Sequence, residues 1–289
     1  MAALKQCLGF ESTRSLTLFS IFGGALFLFS TLQLPYIDID RVFCAAGNPW
    51  SVPGECYWFQ KPGLMRNGML LHLSTILPAG ALVCFQFVPI LRQAKYAKFH
   101  RINGYVVLFL SALGTIGALI IEKRAMGARF SNRIGTWILC TLFTGASIMG
   151  LVSIKKRRFE EHRAWMLRAW FWATSIITMR VILISMAHII GTPSRALEVS
   201  MPCSIIEYLH ESFPGTIKKP YPSCAAFTSG ENLQQETLVT TNWDLTDVVG
   251  ITAGLRFGYA VGGWLSFVIH AIAVEIYIRS TGPKQKVKV

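Results

Sequence analysis

Six stretches of this sequence, each of about twenty residues or more, carry almost no charge. No other feature constrains the fold as much. The hydrocarbon core of a bilayer is about 30 Å thick, and a helix needs about twenty apolar residues to cross it. The stretches are 15–36, 67–91, 103–122, 134–154, 164–191 and 246–278. Only 15% of the residues are charged, against about 25% in an ordinary soluble domain. The reading is an all-α, polytopic integral membrane helical bundle of about six transmembrane helices, forming one membrane domain over residues 1–289. The short alternating segments of a membrane barrel are absent. The first apolar run is too long for a cleavable signal peptide, and no small-x-small cleavage site follows it between Leu34 and Asp40.

Basic residues orient the spans. With both termini in the cytosol, 15 Lys and Arg face the cytosol and 10 the lumen, and Arg168, Arg180 and Arg256 remain inside spans, which accounts for all 28. The net charge of +13 is therefore a topology signal. No basic and aromatic module stands outside the membrane, so nucleic acid is not an expected partner. The partners expected are the bilayer itself and a lipophilic small molecule; the sequence leaves the oligomeric state open. The endoplasmic reticulum membrane is the expected location.

Two long connectors, 37–66 and 192–245, fall on the lumenal side, and the second is long enough to fold over the helices as a lid. They contain Cys44, Cys56, Cys203 and Cys224. An oxidising lumen permits the disulfides Cys44–Cys56 and Cys203–Cys224, with free thiols the alternative. Eleven of the fifteen acids also fall on this side, and none lies deep in a span.

Arg180 and Arg256 each lie about ten residues from the lumenal end of their span, roughly 15 Å down at 1.5 Å per residue. An arginine at that depth costs at least about 2.5–3.5 kcal/mol on a lipid-facing surface. Both are expected to face one interior cavity, held there by backbone carbonyls and water or by a polar part of a ligand. His72 and His188 sit inside spans and Pro78 interrupts the second. In "HRAWMLRAWFWATSIITMR", Trp165, Arg168 and Trp172 share a face. Trp165 and Trp170 suit interface anchors, whereas Trp172 is too deep for that.

Two motifs open spans on the cytosolic side: "FHRINGY" at 99–105 and "EEHRAWMLR" at 160–168. With the later intramembrane arginine, they resemble a predicted-membrane-protein family of unknown function. The matching positions are His72, His100, Arg101, Gly104, Tyr105, His162, Arg163, Trp165, Met166, Arg168 and Arg180, within about residues 67–190. The long lumenal loop and the final "FVIHAIAVEIYIR" look like fungal members, and some similar fungal multi-pass proteins are membrane-bound terpene cyclases of the ascofuranone type.

That second resemblance implies acid-initiated cyclisation of a prenylated phenol, epoxidised or not, in meroterpenoid biosynthesis, with no cofactor or metal. The chemistry needs a general acid and a dry aromatic cavity. Acid candidates are Glu122, Asp247, Asp244 and Asp38 at span ends. Glu122 ranks first, because a carboxylate at a helix C-terminus opposes the dipole and has no capping role. Substrate-binding candidates are Arg180, Arg256, His72, Trp172 and His188. One alternative is a transmembrane electron carrier with haem b bound by His72/His188 and His100/His162. Another is a transporter of an anionic solute.

Overall fold

The computed structural model describes residues 2–45, 51–127 and 130–281. Among them six helices are long and apolar enough to cross a membrane: the chain is an integral membrane protein built of helices. It divides into two compact units, one formed by Met1–Ser51 and Trp58–Lys123, the other by Val52–Tyr57 and Arg124–Val289.

The first unit contains α1 (Thr13–Leu32), α2 (Leu64–Val83) and α3 (Ala97–Ile121). Ser12 caps α1, its hydroxyl accepting from the Ser15 N–H at 3.1 Å. Helix α2 carries Pro78 in its interior and tightens into a 3-10 turn, Cys84–Phe87. Helices α2 and α3 meet backbone to backbone. A Cβ on Gly117 would stand 2.6 Å from the His72 nitrogen, so only glycine permits the approach. Apolar side chains gain little by leaving lipid for a helix interface, so close packing through small residues and interhelical hydrogen bonds hold such pairs. The bonds are present: His72 Nδ1 donates to the Gly114 carbonyl at 2.8 Å, and Asn103 Nδ2 to the Leu82 carbonyl at 3.0 Å. Gln86 Nε2 donates to the His100 carbonyl at 3.1 Å.

The second unit contains α4 (Phe130–Lys155), α5 (Phe159–Ala173), α6 (Ser175–Ile190), β1 (Glu198–Pro202), α7 (Cys203–Ser212), β2 (Glu236–Thr240) and α8 (Val248–Thr281). The fifth apolar stretch, expected as one uninterrupted span, breaks at Thr174 between α5 and α6. Hydrogen bonds hold the break. The Phe171 carbonyl accepts from the Thr174 hydroxyl at 3.0 Å and from His270 Nδ1 at 2.7 Å, and the Thr178 hydroxyl donates to His270 Nε2 at 2.9 Å.

Helix α8 lies on α6 through Gly254, Gly258 and Gly262; a Cβ at Gly258 would stand 2.5 Å from the Leu183 carbonyl oxygen. Helix α5 is joined to α8 by a bidentate Arg168–Glu275 pair at 2.6 and 3.0 Å. The Arg168 guanidinium also stacks over Trp165 at 4.8 Å. Glu275, read from sequence as a cytosol-facing acid, thus neutralises one of the three arginines inside spans. Trp170 is buried edge-on against Phe143 at 5.6 Å; it packs the α4–α5 contact and is not an interface anchor. His162 Nδ1 donates to the Gly150 carbonyl across the same pair at 2.9 Å.

The 192–245 connector is folded. Strands β1 and β2 pair antiparallel from Glu198 opposite Thr240 to Pro202 opposite Glu236. The Cys203–Cys224 disulfide ties the start of α7 to the segment that follows it, and Cys44 and Cys56 are disulfide-bonded as well.

Candidate functional site

Spacings of three and four along α8 put Tyr259, Gly263 and Phe267 on one stripe, with Trp264 beside it. In the second unit this stripe faces a cleft of about 90 Å³ whose other walls are Asn132, Gly135 and Thr136 on α4 and Ser175 and Met179 on α6. Among the described residues that line it there is no Asp, Glu, Lys, Arg or His. A Cβ on Gly263 would meet nothing within 4 Å, and one on Gly135 would only touch Trp264 at 3.7 Å. These two glycines leave open space, whereas Gly258 and Gly262 fill theirs with the α6 backbone.

Asn132 stands at one end of the cleft, 8% exposed. Its Nδ2 donates to the Met126 carbonyl at 3.1 Å, and its Oδ1 is buried without a hydrogen-bond partner. Such an orphaned acceptor costs about 1–3 kcal/mol unless something donates to it. Met126 sits in the left-handed region at φ 50°, ψ 41°, uncommon for a residue with a side chain. Its N–H donates to Glu55 Oε2 at 2.7 Å. One strained residue therefore links Asn132 through its carbonyl and Glu55 through its amide.

Glu55 is the residue that sequence reasoning missed. Taken from the sequence as an acid of a solvated loop, it is 2% exposed. Gly54 turns the chain into place with φ 89°, and a Cβ there would press on Ile205 at 2.9 Å. A loop therefore buries an acid that the sequence placed only among the lumenal acids. The signal in "VPGECYWF" was an acid set among a cysteine, aromatics and a turn glycine.

The expected site residues fall in several places. Arg256 is 3% exposed, and it stands one turn before Tyr259 on α8; neither it nor Arg180 is among the residues lining the cleft. Trp172 lies beside Phe267, ring centroids 6.4 Å apart, with its indole N–H buried and without a partner. His188 stands edge-on to Trp243 at 5.4 Å. His72 belongs to the first unit and spends Nδ1 on the helix contact already described. Glu122, also in the first unit, is buried where α3 ends. Asp38 is exposed and caps a turn, accepting from the Arg41 N–H at 3.0 Å.

Asp247 and Asp244 are held away from a proton donor's role. Asp247 is 2% exposed. Burial alone would raise its pKa, but the Lys219 ammonium at 2.5 Å, the Gly250 N–H at 3.0 Å and Asn242 Nδ2 at 2.7 Å together hold the carboxyl below its ordinary value. It caps α8 as an ion. Asp244 is exposed and accepts from the Thr246 hydroxyl and N–H at 2.7 and 2.9 Å, which lowers its pKa too.

The profile of a family described as "Predicted membrane protein (DUF2306)" matches residues 69–207, just under half of the chain. The chain is similar to that family from α2 through the beginning of α7; α8, with the aromatic wall of the cleft, lies beyond the match. No curated protein and no solved structure matches.

Proposed function

We propose that the protein is a membrane-embedded cyclase that isomerises a prenylated phenol, or its epoxide, within the cleft between α4, α6 and α8. One observation carries the reading: an aromatic cleft with no charged side chain among its described lining residues, set between membrane-spanning helices, has Tyr259 in its wall. Tyr259 is the group that delivers a proton to the cleft, and Glu55 is the acid that supplies it. The proton adds to a terminal double bond or opens an epoxide. A neighbouring double bond attacks the resulting cation, a carbon–carbon bond closes the ring, and a proton returns to the base. Substrate and product have the same composition, and no redox cofactor enters. Tyr259, Trp264 and Phe267 offer π faces to the cation, and the bilayer keeps water from quenching it.

This reading replaces the four span-end carboxyls with Glu55. It keeps both termini in the cytosol of the endoplasmic reticulum; the asymmetry of basic residues and the Cys203–Cys224 disulfide, which belongs in an oxidising compartment, support that placement.

The test is turnover. Membranes containing the protein, given prenylated phenols and their epoxides, should yield a product of unchanged mass and altered chromatographic retention. Glu55→Gln and Tyr259→Phe should each lower the rate by about 10²-fold or more, the range typical of losing a proton donor. Absence of any isomer from a folded preparation overturns the proposal. So does a haem absorption band from the purified protein, or anion uptake into vesicles, which would favour the electron carrier or the transporter.

A further inference from the structure

We infer that the cleft binds one neutral lipophile through a hydroxyl group, which donates to Asn132 Oδ1 while the hydrocarbon part lies along Gly263, Trp264 and Phe267. The inference takes the cleft of the proposed function as the site, but it does not depend on any reaction occurring there.

Three observations fix the ligand's chemistry. The orphaned group at the end of the cleft is an acceptor, so its partner must be a donor. Asn132 cannot turn its amide to exchange the two atoms at no cost, because Nδ2 is engaged with the Met126 carbonyl. The Thr136 hydroxyl does not serve either, since it donates to the Asn132 carbonyl at 3.0 Å. A second constraint is charge. With no cationic side chain among the described lining residues, a carboxylate or phosphate head would enter without a counter-charge, and with no carboxylate among them an ammonium would fare the same. A neutral O–H satisfies the acceptor and brings no charge.

The third constraint is shape. From Asn132 to Leu139 the α4 wall rises roughly 10 Å at 1.5 Å per residue, and opposite it the open space over Gly263 leaves room for a chain. Trp264, 39% exposed, and Ile138, 37% exposed, stand at the outer edge. In a membrane this edge faces acyl chains, so a lipophile enters sideways from the bilayer and its tail can remain partly in lipid.

The experiment uses the full chain in lipid nanodiscs and measures equilibrium binding of farnesol and of farnesyl methyl ether, with empty nanodiscs subtracted. The two share a hydrocarbon chain, and only farnesol has an O–H. One farnesol per protein is expected, bound about tenfold more tightly than the ether, the factor that one hydrogen bond of ordinary strength supplies. Gly263→Leu, which projects into open space, should abolish binding of both while thermal unfolding stays at the parent temperature or slightly above it. Asn132→Leu should bring the two affinities within about twofold. Should that variant fail to fold, the parent's preference still decides: equal affinities for alcohol and ether overturn the inference, as does farnesol binding that survives Gly263→Leu. Farnesol binding with the expected preference but no isomerisation of prenylated phenols would sink the cyclase and leave the binding site standing.

Discussion

Helices α2 and α3 in the first unit and α6 and α8 in the second are both brought together by glycines whose missing Cβ atoms admit a neighbour's backbone. They differ in what the far side of the pair does. In the first unit the polar groups named are spent on one another: His72 on Gly114, Asn103 on Leu82, Gln86 on His100. In the second, α8 presses Gly258 and Gly262 onto α6 but turns Gly263 and Tyr259 toward α4, where the gap stays open. Adjacent glycines on one helix thus serve opposite ends: Gly262 closes a contact and Gly263 leaves a void. A glycine in a membrane helix is informative only once its direction is known.

The sharpest way to break this comparison is to add a side chain to each kind of glycine. Gly258→Leu drives a side chain into the Leu183 carbonyl, and Gly117→Leu does the same at His72. Both should cost about 3 kcal/mol or more, the upper part of the overpacking range, and lose the monodisperse peak in size-exclusion chromatography. Gly263→Leu should fold normally and gain about 0.5–1 kcal/mol from helix propensity. Equal behaviour of the Gly258 and Gly263 variants in thermal unfolding would erase the distinction.

A smaller effect is expected from His72→Phe. It keeps the volume but removes the interhelical donor to the Gly114 carbonyl, which retains its own helix N–H, a loss of about 0.5–1.5 kcal/mol confined to the α2–α3 pair. Hydrogen exchange of α3 should report it, and α8 should not respond.

The smallest effect belongs to the lid and appears with pH. His210 has its pKa lowered by burial first and by Lys218 second, with Asp247 opposing. Its neutral form is favoured in the fold, so stability is complete above the ordinary 6.5 and declines as pH falls below it, because the unfolded chain takes the proton first. Asp247 contributes stability above its ordinary 3.8 that is lost as pH falls through its lower folded value. Proteolysis of the segment 213–222 should therefore quicken in two stages on acidification. His210→Phe should remove the upper stage, and Asp247→Asn the lower.

The apolar runs made the six spans legible, because membrane thickness sets a length that composition meets or fails. Strand β2, "ETLVT", alternates exposed and buried but buries Thr237 and exposes Leu238, so its polarity pattern does not announce the strand within the lid. The break at Thr174 was not legible: neither proline nor glycine marks it, and its stabilising partner, His270, lies 96 residues further along. Glu55 was hidden for a related reason. Its surroundings in sequence are those of an exposed loop, and the residues that meet this turn, Ile205 beside Gly54 and Met126 at its carboxylate, are far away in the chain. Asp247 was legible as a cap but not as an ion pair, since Lys219 comes from 28 residues earlier. Local sequence reports which segments are apolar; it does not report which polar residue a distant turn will bury.

The lid leaves the helices and returns to them at almost the same point. The Thr241 hydroxyl donates to the Ile190 carbonyl at 2.7 Å and accepts from the Leu197 N–H at 2.9 Å, and a Cβ on Gly191 would touch Trp243 at 2.7 Å. A segment whose two ends meet is, in architectural terms, an insertion. Such a module can be lengthened, exchanged or trimmed back to a short turn without changing the register of the helices beneath. The matched family region ends at residue 207, inside this insertion. Variation in what different members of a lineage recognise would then accumulate in a replaceable cover, while the membrane frame stayed fixed.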